Sequence, residues 1–147
     1  ALFKLPAKAS YAAAPWVTYT DPELAHVGQT EKAAIEALGA QAVTVLRWSF
    51  GENDRARAER EIDGFAKVIT DRKGRVLGAT IVGRHAGELL APWIMAVGKR
   101  QKISDIASVI IPYPTLVEVG KRAAGSYYVP SLFSERTRKI VRFLMRF

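Results

Sequence analysis

Alternating apolar and polar positions predict strands in the first half of the chain. Residues 15–20 are aromatic and β-branched, which suits a strand. Residues 42–50 repeat the pattern, with valines on one face and Leu46 and Trp48 on the other. Two further runs, 64–70 and 75–82, flank Asp71-Arg72-Lys73-Gly74, a tight turn. We therefore predict a hairpin, with Gly78 marking a bulge or a close backbone approach.

Apolar positions at helical spacing dominate the second half. Thr30 is a suitable cap for a helix through Leu38 that Gly39 ends. Apolar residues recur every three or four positions over 87–99, and Ser104 is a candidate cap for a helix over 105–109. Asp21-Pro22 reads as a turn. Strands therefore come early and helices late, which predicts an α+β fold: an antiparallel β-sheet with helices packed on one face.

The segment 110–119 combines a stiffened backbone with candidate chemistry. Pro112 and Pro114 bracket Tyr113, and Thr115 and Glu118 have the spacing of a capping box. In such a box the Thr115 hydroxyl accepts from the N–H of Glu118, and the Glu118 carboxylate accepts from the N–H of Thr115. We expect the following helix to run to about residue 124 and to stop at Gly125. The segment is either a site that presents an aromatic hydroxyl beside a carboxylate, or only a proline-rich entry into a capped helix.

The last segment predicts a basic amphipathic helix over 131–147. At helical spacing the apolar side chains share one arc and most of the basic ones share the opposite arc. The apolar members are Phe133, Ile140, Val141, Phe143, Leu144 and Phe147. This helix either docks on its own domain or on a partner subunit, or it lies on an anionic membrane surface.

Composition fits one globular domain, with 49% hydrophobic and 24% charged residues among 147. The chain has no cysteine and only His26 and His85, so we expect no disulfide, no thiol chemistry and no metal site. No apolar run is long enough for a membrane span.

The net charge of +8 is concentrated near the C-terminus. From Lys121 onward the chain has seven basic residues and one acid, Glu135, whereas the remainder is closer to balance. A stand-alone nucleic-acid-binding module that uses this tail is therefore an alternative function. Residues 51–60 mix both signs, which favours a solvated loop or short helix with ion pairs over a phosphate site.

Several motifs, taken in order, resemble one family. They lie at residues 20–31, 53–56, 64–68, 76–79, 86–90 and 114–118. Over about 15–124 the chain resembles the C-terminal dimerisation domain of the pyridine nucleotide-disulfide oxidoreductases, which include dihydrolipoamide dehydrogenase and mercuric reductase. The resemblance implies three segments: a linker from a missing domain at 1–14, the dimerisation domain at 15–125 and a helical extension at 126–147.

The resemblance implies a fragment of a longer enzyme. In the family, FAD-binding and NAD(P)-binding domains and a redox-active cysteine pair precede this domain, and none of these is in the 147 residues. We therefore expect no activity and no bound cofactor for the fragment alone. The expected partners are a second copy, in a homodimer, and the FAD and NAD(P) domains of the full chain, with no nucleic acid. The expected location is cytoplasmic, with possible peripheral membrane contact through 131–147.

One loop of the family's domain reaches the partner subunit's flavin. It usually carries a His that acts as acid–base, oriented by a Glu. Here those positions are Tyr113 and Glu118, the candidate catalytic residues, while Pro112 and Tyr113 are the candidate cofactor contacts. A phenol has a reference pKa near ~10, so at neutral pH it donates a hydrogen bond rather than shuttling protons. Mercuric reductases also place a Tyr here, although their C-terminal cysteine pair is missing from this chain.

Overall fold

The α+β fold predicted from the sequence is confirmed. A computed structural model describes residue 11 and residues 13–145. Five antiparallel strands form one sheet in the order β1-β2-β5-β4-β3. The strands are β1 Trp16–Thr18, β2 Glu23–Gly28, β3 Val43–Ser49, β4 Phe65–Asp71 and β5 Val76–Gly83. Most of the predicted 1–14 linker lies outside the described residues.

The hairpin predicted around Asp71–Gly74 is formed by β4 and β5. Ile69 pairs with Gly78 and Thr70 pairs with Val76, so the ladder has a bulge at this point. On its other side Gly78 faces the backbone of Gln29, whose N–H donates to Leu77 O at 3.0 Å. A Cβ on Gly78 would lie 2.1 Å from Gln29 O. Both features predicted for this glycine, the bulge and the close approach, are therefore present.

Strand β2 has no counterpart in the sequence prediction, which placed only a turn at Asp21-Pro22. The strand begins directly after that turn, where the peptide bond is cis, and it lies between β1 and β5. Its Ala25, His26 and Val27 are buried. Alanine, histidine and glycine have weak strand preference, so β2 depends on the two strands beside it rather than on its own propensity.

Eight helices accompany the sheet in the described part of the chain. They are α1 Glu31–Leu38, α2 Asp54–Glu59, α3 Ala86–Leu89, α4 Ala91–Gly98, α5 Ile103–Ala107, α6 Glu118–Ser126, α7 Val129–Leu132 and α8 Glu135–Leu144. Helices α3, α4 and α6 pack on the sheet face that carries Ala25, Val68 and Ile81. Helix α1 contacts the opposite face, where Glu31 pairs with Lys67 at 3.2 Å. Thr30 caps α1, as predicted.

Two helix predictions in the second half need correction. The helix expected over 87–99 is divided at Leu90 into α3 and α4, and Pro92 occupies the first turn of α4. Ser104 does not cap the next helix, because α5 already begins at Ile103. The Asp105 carboxylate accepts from the N–H of Lys102 at 3.1 Å instead. An acidic side chain at the third helical position thus satisfies the end of this helix.

The C-terminal predictions are also corrected. Gly125 does not end α6, which continues to Ser126 with helical backbone beyond it. The single helix expected over 131–147 is two helices, α7 and α8, and Ser134 caps the second by accepting from the N–H of Thr137 at 3.3 Å. A serine that bonds its own following turn starts a new helix here rather than extending the old one. Phe147 lies outside the described residues.

Candidate functional site

The candidate site is built on the segment between α5 and α6, residues 108–117, here called the tyrosine loop. The Tyr113-Pro114 peptide bond is cis. The Thr115 hydroxyl donates to Pro112 O at 2.8 Å, which closes a tight turn around Tyr113. Pro112, Tyr113 and Pro114 are all exposed. The loop therefore holds the Tyr113 side chain out on the surface of the domain.

Only half of the predicted capping box forms where the tyrosine loop enters α6. Glu118 Oε2 accepts from the N–H of Thr115 at 3.4 Å, as predicted. The Thr115 hydroxyl does not accept from Glu118, because it is turned toward Pro112 O. The N–H of Glu118 instead donates to the backbone carbonyl of Thr115 at 3.4 Å. Glu118 thus anchors the loop backbone rather than the Tyr113 side chain.

Helix α6 fixes the loop against the core. Its Val119, Ala123 and Ala124 are buried, and Gly120 faces the ring of Trp93 on α4. A Cβ on Gly120 would come within 3.2 Å of that ring, so the helices approach closely at this point. Trp93 is itself only 2% exposed. The C-terminal end of the loop is therefore anchored on the core of the domain.

Tyr113 has a specific partner in another part of the chain. Its side chain is 69% exposed, yet the hydroxyl donates to Asp54 Oδ2 at 2.8 Å. Asp54 is the first residue of α2. The two residues are 59 positions apart in the chain. Tyr113 therefore bonds Asp54, and Glu118 bonds the backbone of Thr115 instead of the Tyr113 hydroxyl. A carboxylate as acceptor makes this a charge-assisted hydrogen bond.

Asn53, the neighbour of Asp54, makes a second connection to the tyrosine loop. Its Oδ1 caps α2 by accepting from the N–H of Ala56 at 2.9 Å. Its Nδ2 donates to Thr115 O at 3.0 Å. Asn53 is only 4% exposed, so both bonds are shielded from water. Residues 53 and 54 therefore position the tyrosine loop from two adjacent points.

The electrostatic surroundings favour the neutral form of the phenol. The hydrogen bond to Asp54 raises the pKa of Tyr113 above its ordinary value, and the charge of the Asp54 carboxylate, partial burial and Glu118 raise this pKa further. Arg122 opposes these effects. At neutral pH the Tyr113 hydroxyl is therefore a hydrogen-bond donor, which agrees with the role expected for a phenol in this place.

This pairing predicts a titration result for the chain itself. Asp54→Asn keeps the shape of the acceptor but removes its charge, so we expect the pKa of Tyr113 to fall toward the reference value near ~10. The measurement is the tyrosinate absorbance difference between each protein and its Tyr113→Phe counterpart, which isolates one phenol among five. Because the pKa is raised on folding, the stabilisation by this bond is complete below the unfolded-state pKa. It is lost as pH rises through the folded-state pKa. An unchanged difference titration in Asp54→Asn would contradict the pairing.

A charged groove lies beside the tyrosine loop. Its lining combines the loop residues 114–117 with Arg55, Glu59, His85 and Glu88, around a volume of about 400 Å³. Arg55 bonds Glu59 one turn along α2, and Arg84 lies 3.7 Å from Glu59. The hydrogen bond from Arg55 lowers the pKa of Glu59. The arrangement agrees with the ion-paired interpretation of residues 51–60.

Three apolar side chains of α4 and the tyrosine loop are exposed. Ile110 is 95% exposed at the start of the tyrosine loop, Val109 is 45% exposed beside it, and Met95 on α4 is 54% exposed. We call Met95, Val109 and Ile110 the apolar surface. A side chain as exposed as Ile110 gains little from the folding of this chain, so it is available to contact another molecule.

Sequence reasoning found the loop but missed its supports. Asn53 and Asp54 belong to one of the family motifs and to the charged segment 51–60, and no local pattern links them to Tyr113. An Asn followed by an Asp before a short helical run is a capping signal, and this was the one available clue. No cluster of three or more possible metal ligands occurs among the described residues. Nor does the described part of the chain include a helix able to cross a bilayer.

The sheet, the helices on one face and the loop before α6 agree with one family. Residues 14–124 match the family model described as pyridine nucleotide-disulphide oxidoreductase, dimerisation domain. The chain belongs to this family and contains its dimerisation domain. The match gives no support to the alternative of a nucleic-acid-binding module.

Known relatives are considerably longer than this chain. It is 38% identical over 120 residues to the mitochondrial dihydrolipoyl dehydrogenase of Dictyostelium discoideum, covering 81% of the chain and 24% of that protein. It is 42% identical over 113 residues to the dihydrolipoyl dehydrogenase of Haloferax volcanii, covering 76% and 23%. The chain thus spans about a quarter of the length of these relatives.

Solved structures agree with the family. The crystal structure of LpdA from Mycobacterium tuberculosis superposes with a TM-score of 0.76 at 27% identity, covering 86% of the chain and 27% of that protein. The HOCl-induced flavoprotein disulfide reductase RclA from Escherichia coli, as its Cu(II) complex, gives a TM-score of 0.72 at 25% identity, covering 78% and 26%. The chain has the same fold as the matching quarter of each.

Proposed function

We propose that this domain forms the homodimer of a longer FAD- and NAD(P)-dependent oxidoreductase and presents Tyr113 to the flavin site of the partner subunit. The observation that carries the proposal is the position of Tyr113, exposed on a loop that α6, Asn53 and Asp54 hold in place. An exposed side chain held at its hydroxyl and at its backbone is suited to a site completed by another subunit.

The proposed dimer contact is the apolar surface together with α4 and the tyrosine loop. Pro92 and Trp93 of α4 line one pocket with Val109, Ile111 and Val117 of the tyrosine loop, so α4 and the loop adjoin each other. In the dimer, burial of Met95, Val109 and Ile110 would give the contact an apolar centre beside the charged groove at Glu88 and Arg55. An apolar centre with a polar rim is the usual composition of a stable interface.

The residues of the loop fit the edge of a flavin site rather than a whole one. Pro112 and Tyr113 are exposed at its tip, and we propose that they contact the cofactor held by the partner. When bound, FAD passes electrons from NAD(P)H to an acceptor. The contribution of Tyr113 is a neutral phenol whose pKa Asp54 holds up; its one O–H donates to Asp54 in this structure and would exchange that acceptor for one at the flavin site. Glu118 keeps the backbone of Thr115 in place.

We further propose that the parent enzyme belongs nearer to the mercuric reductases than to enzymes of ordinary dithiol–disulfide exchange. Support comes from the residue type at position 113, since a neutral phenol with a raised pKa is a poor proton shuttle for a thiol. The electron acceptor is then one that a hydrogen-bond donor can orient or polarise without taking a proton from it.

The dimer proposal is tested by the solution mass of the 147-residue chain in a dilution series. We expect a dimer, and we expect Ile110→Asp to raise its dissociation constant by about thirty-fold or more, the equivalent of ~2 kcal/mol. The reason is that the substitution puts a charge into the apolar centre of the contact. Sedimentation equilibrium or light scattering gives the constant.

Ile62→Asp is the matched control, because Ile62 is also exposed, at 49%, and lies outside the proposed contact. It receives the same charge and is expected to leave the dimer unchanged. If the chain is a dimer that both substitutions weaken equally, the contact lies elsewhere. A monomer at every concentration would mean that association requires the remaining domains of the parent.

A further inference from the structure

The C-terminal helix α8 has an apolar face whose residues Ile140, Val141 and Leu144 stay about half exposed or more. Ile140, Val141 and Leu144 are 50%, 45% and 63% exposed, and no residue of α8 is buried. Helix α7 continues this surface with Leu132 and Phe133, which are 59% and 66% exposed. Among the described residues, the apolar side chains of α7 and α8 are thus available to a further surface.

The other side of α8 is strongly basic. Arg138, Lys139 and Arg142 lie on the arc opposite the apolar residues and are exposed. Arg138 pairs with Glu135 at 3.3 Å, and this glutamate is the only acidic residue of the helix. One side of α8 is therefore apolar, and the opposite side has a net positive charge.

Charge complementarity decides between the possible occupants of this face. A second copy would bring two basic helices together in a chain that already has a net charge of +8, so their repulsion opposes the contact. An anionic lipid surface offers negative charge to the Arg and Lys side chains and an acyl region to the apolar ones. From the exposure and charge of α8 we infer that α7 and α8 lie on anionic membrane surfaces and hold the enzyme there peripherally.

The geometry fits a helix that lies in the plane of the interface. Helix α8 has ten residues, Glu135–Leu144, too few to cross a bilayer but enough for its apolar residues to enter the boundary between headgroups and acyl chains. Basic side chains at the flanks then extend toward the lipid phosphates. Since α8 contributes no buried residue, substitutions on it leave the folded domain intact.

The test is sedimentation of the 147-residue chain with vesicles. One set is phosphatidylcholine alone and the other is an equimolar mixture with phosphatidylglycerol. We expect binding to the mixed vesicles only. The double variant Lys139→Gln/Arg142→Gln is expected to lower the partition coefficient about thirty-fold, since each basic group near such a surface contributes roughly five-fold.

The matched control is Lys73→Gln/Lys99→Gln, which removes the same charge from exposed positions outside the tail. It is expected to bind like the parent chain. A second arm, Ile140→Ser/Leu144→Ser, removes apolar contact and keeps every charge, and we expect it to weaken binding as well. If the control and the Lys139/Arg142 variant lose vesicle binding equally, the binding depends only on the net charge of the chain, and the proposal is overturned. Undiminished binding by the serine variant would also overturn it, as would a change in oligomeric state in place of vesicle binding.

Discussion

Gly78→Ala is expected to destabilise the domain by about 3 kcal/mol or more, a large effect for one methyl group. The added Cβ would lie 2.1 Å from Gln29 O and 2.8 Å from Gln29 N, both backbone atoms. No side-chain rotation relieves such a contact, so β5 and the segment after β2 must move apart. That movement disrupts the hydrogen bond from Gln29 to Leu77 and the ladder between the two strands. Chemical denaturation of the purified chain measures the loss.

Gly125→Ala is the matched control and is expected to have the opposite sign. Gly125 lies inside α6, and nothing is within 4 Å of a Cβ placed there. Alanine is therefore expected to stabilise the domain by about 0.5–1 kcal/mol, through the lower entropy of the unfolded chain. Equal stability of both variants would mean that β5 does not approach Gln29 as described. Destabilisation by Gly125→Ala would restore the sequence prediction that this glycine ends the helix.

The second large effect concerns turnover by the longer flavoprotein to which we propose that this domain belongs. Tyr113→Phe removes the hydroxyl and keeps the ring, and we expect the turnover number to fall by about a hundred-fold, as when a donor to a developing charge is removed. A fall in kcat at constant KM would assign the hydroxyl to the transition state rather than to binding. Steady-state kinetics with the physiological nicotinamide cofactor and the parent's acceptor provides both constants.

Asp54→Asn separates a positioning role from a purely structural one in the same enzyme. It retains an acceptor for Tyr113 but lowers the pKa of the phenol, so the alkaline limb of the pH–rate profile is expected to move to lower pH. The sign follows from the neutral phenol being the active form. An unshifted profile together with full activity of Tyr113→Phe would leave both residues as structural parts of the loop.

The sequence predicted most of the fold where the signal was local. Hydrophobic alternation and the Asp71–Gly74 turn gave the hairpin, and Thr30 gave the start of α1. Strand β2 was missed because its residues have weak strand preference and gain their order from the neighbouring strands. Gly125 was misread because a glycine in open space does not itself end a helix.

The sequence predicted those features of the candidate site that depend on residues close together in the chain, and missed the contact between distant segments. Two prolines around Tyr113 indicated a stiff loop, and the backbone half of the capping box at Glu118 formed as expected. The acceptor for the phenol comes from Asp54, 59 residues away. The Thr115 hydroxyl found a nearer acceptor than the one predicted, Pro112 O. Such contacts depend on the tertiary fold, which brings the segment after β3 beside the loop. Hydrophobic periodicity contains no information about them.

The side chain of Asn53 links helix α2 to the tyrosine loop, which lies far from it in the sequence. Asn53 uses its oxygen for the first turn of α2 and its nitrogen for Thr115 O, so neither bond can be lost without leaving part of a buried group unsatisfied. Fraying of this short helix and release of the tyrosine loop are therefore one opening event rather than two. In the dimer that we propose, where each loop reaches the flavin site of the other subunit, a local opening in one subunit would disorder the catalytic centre of its neighbour.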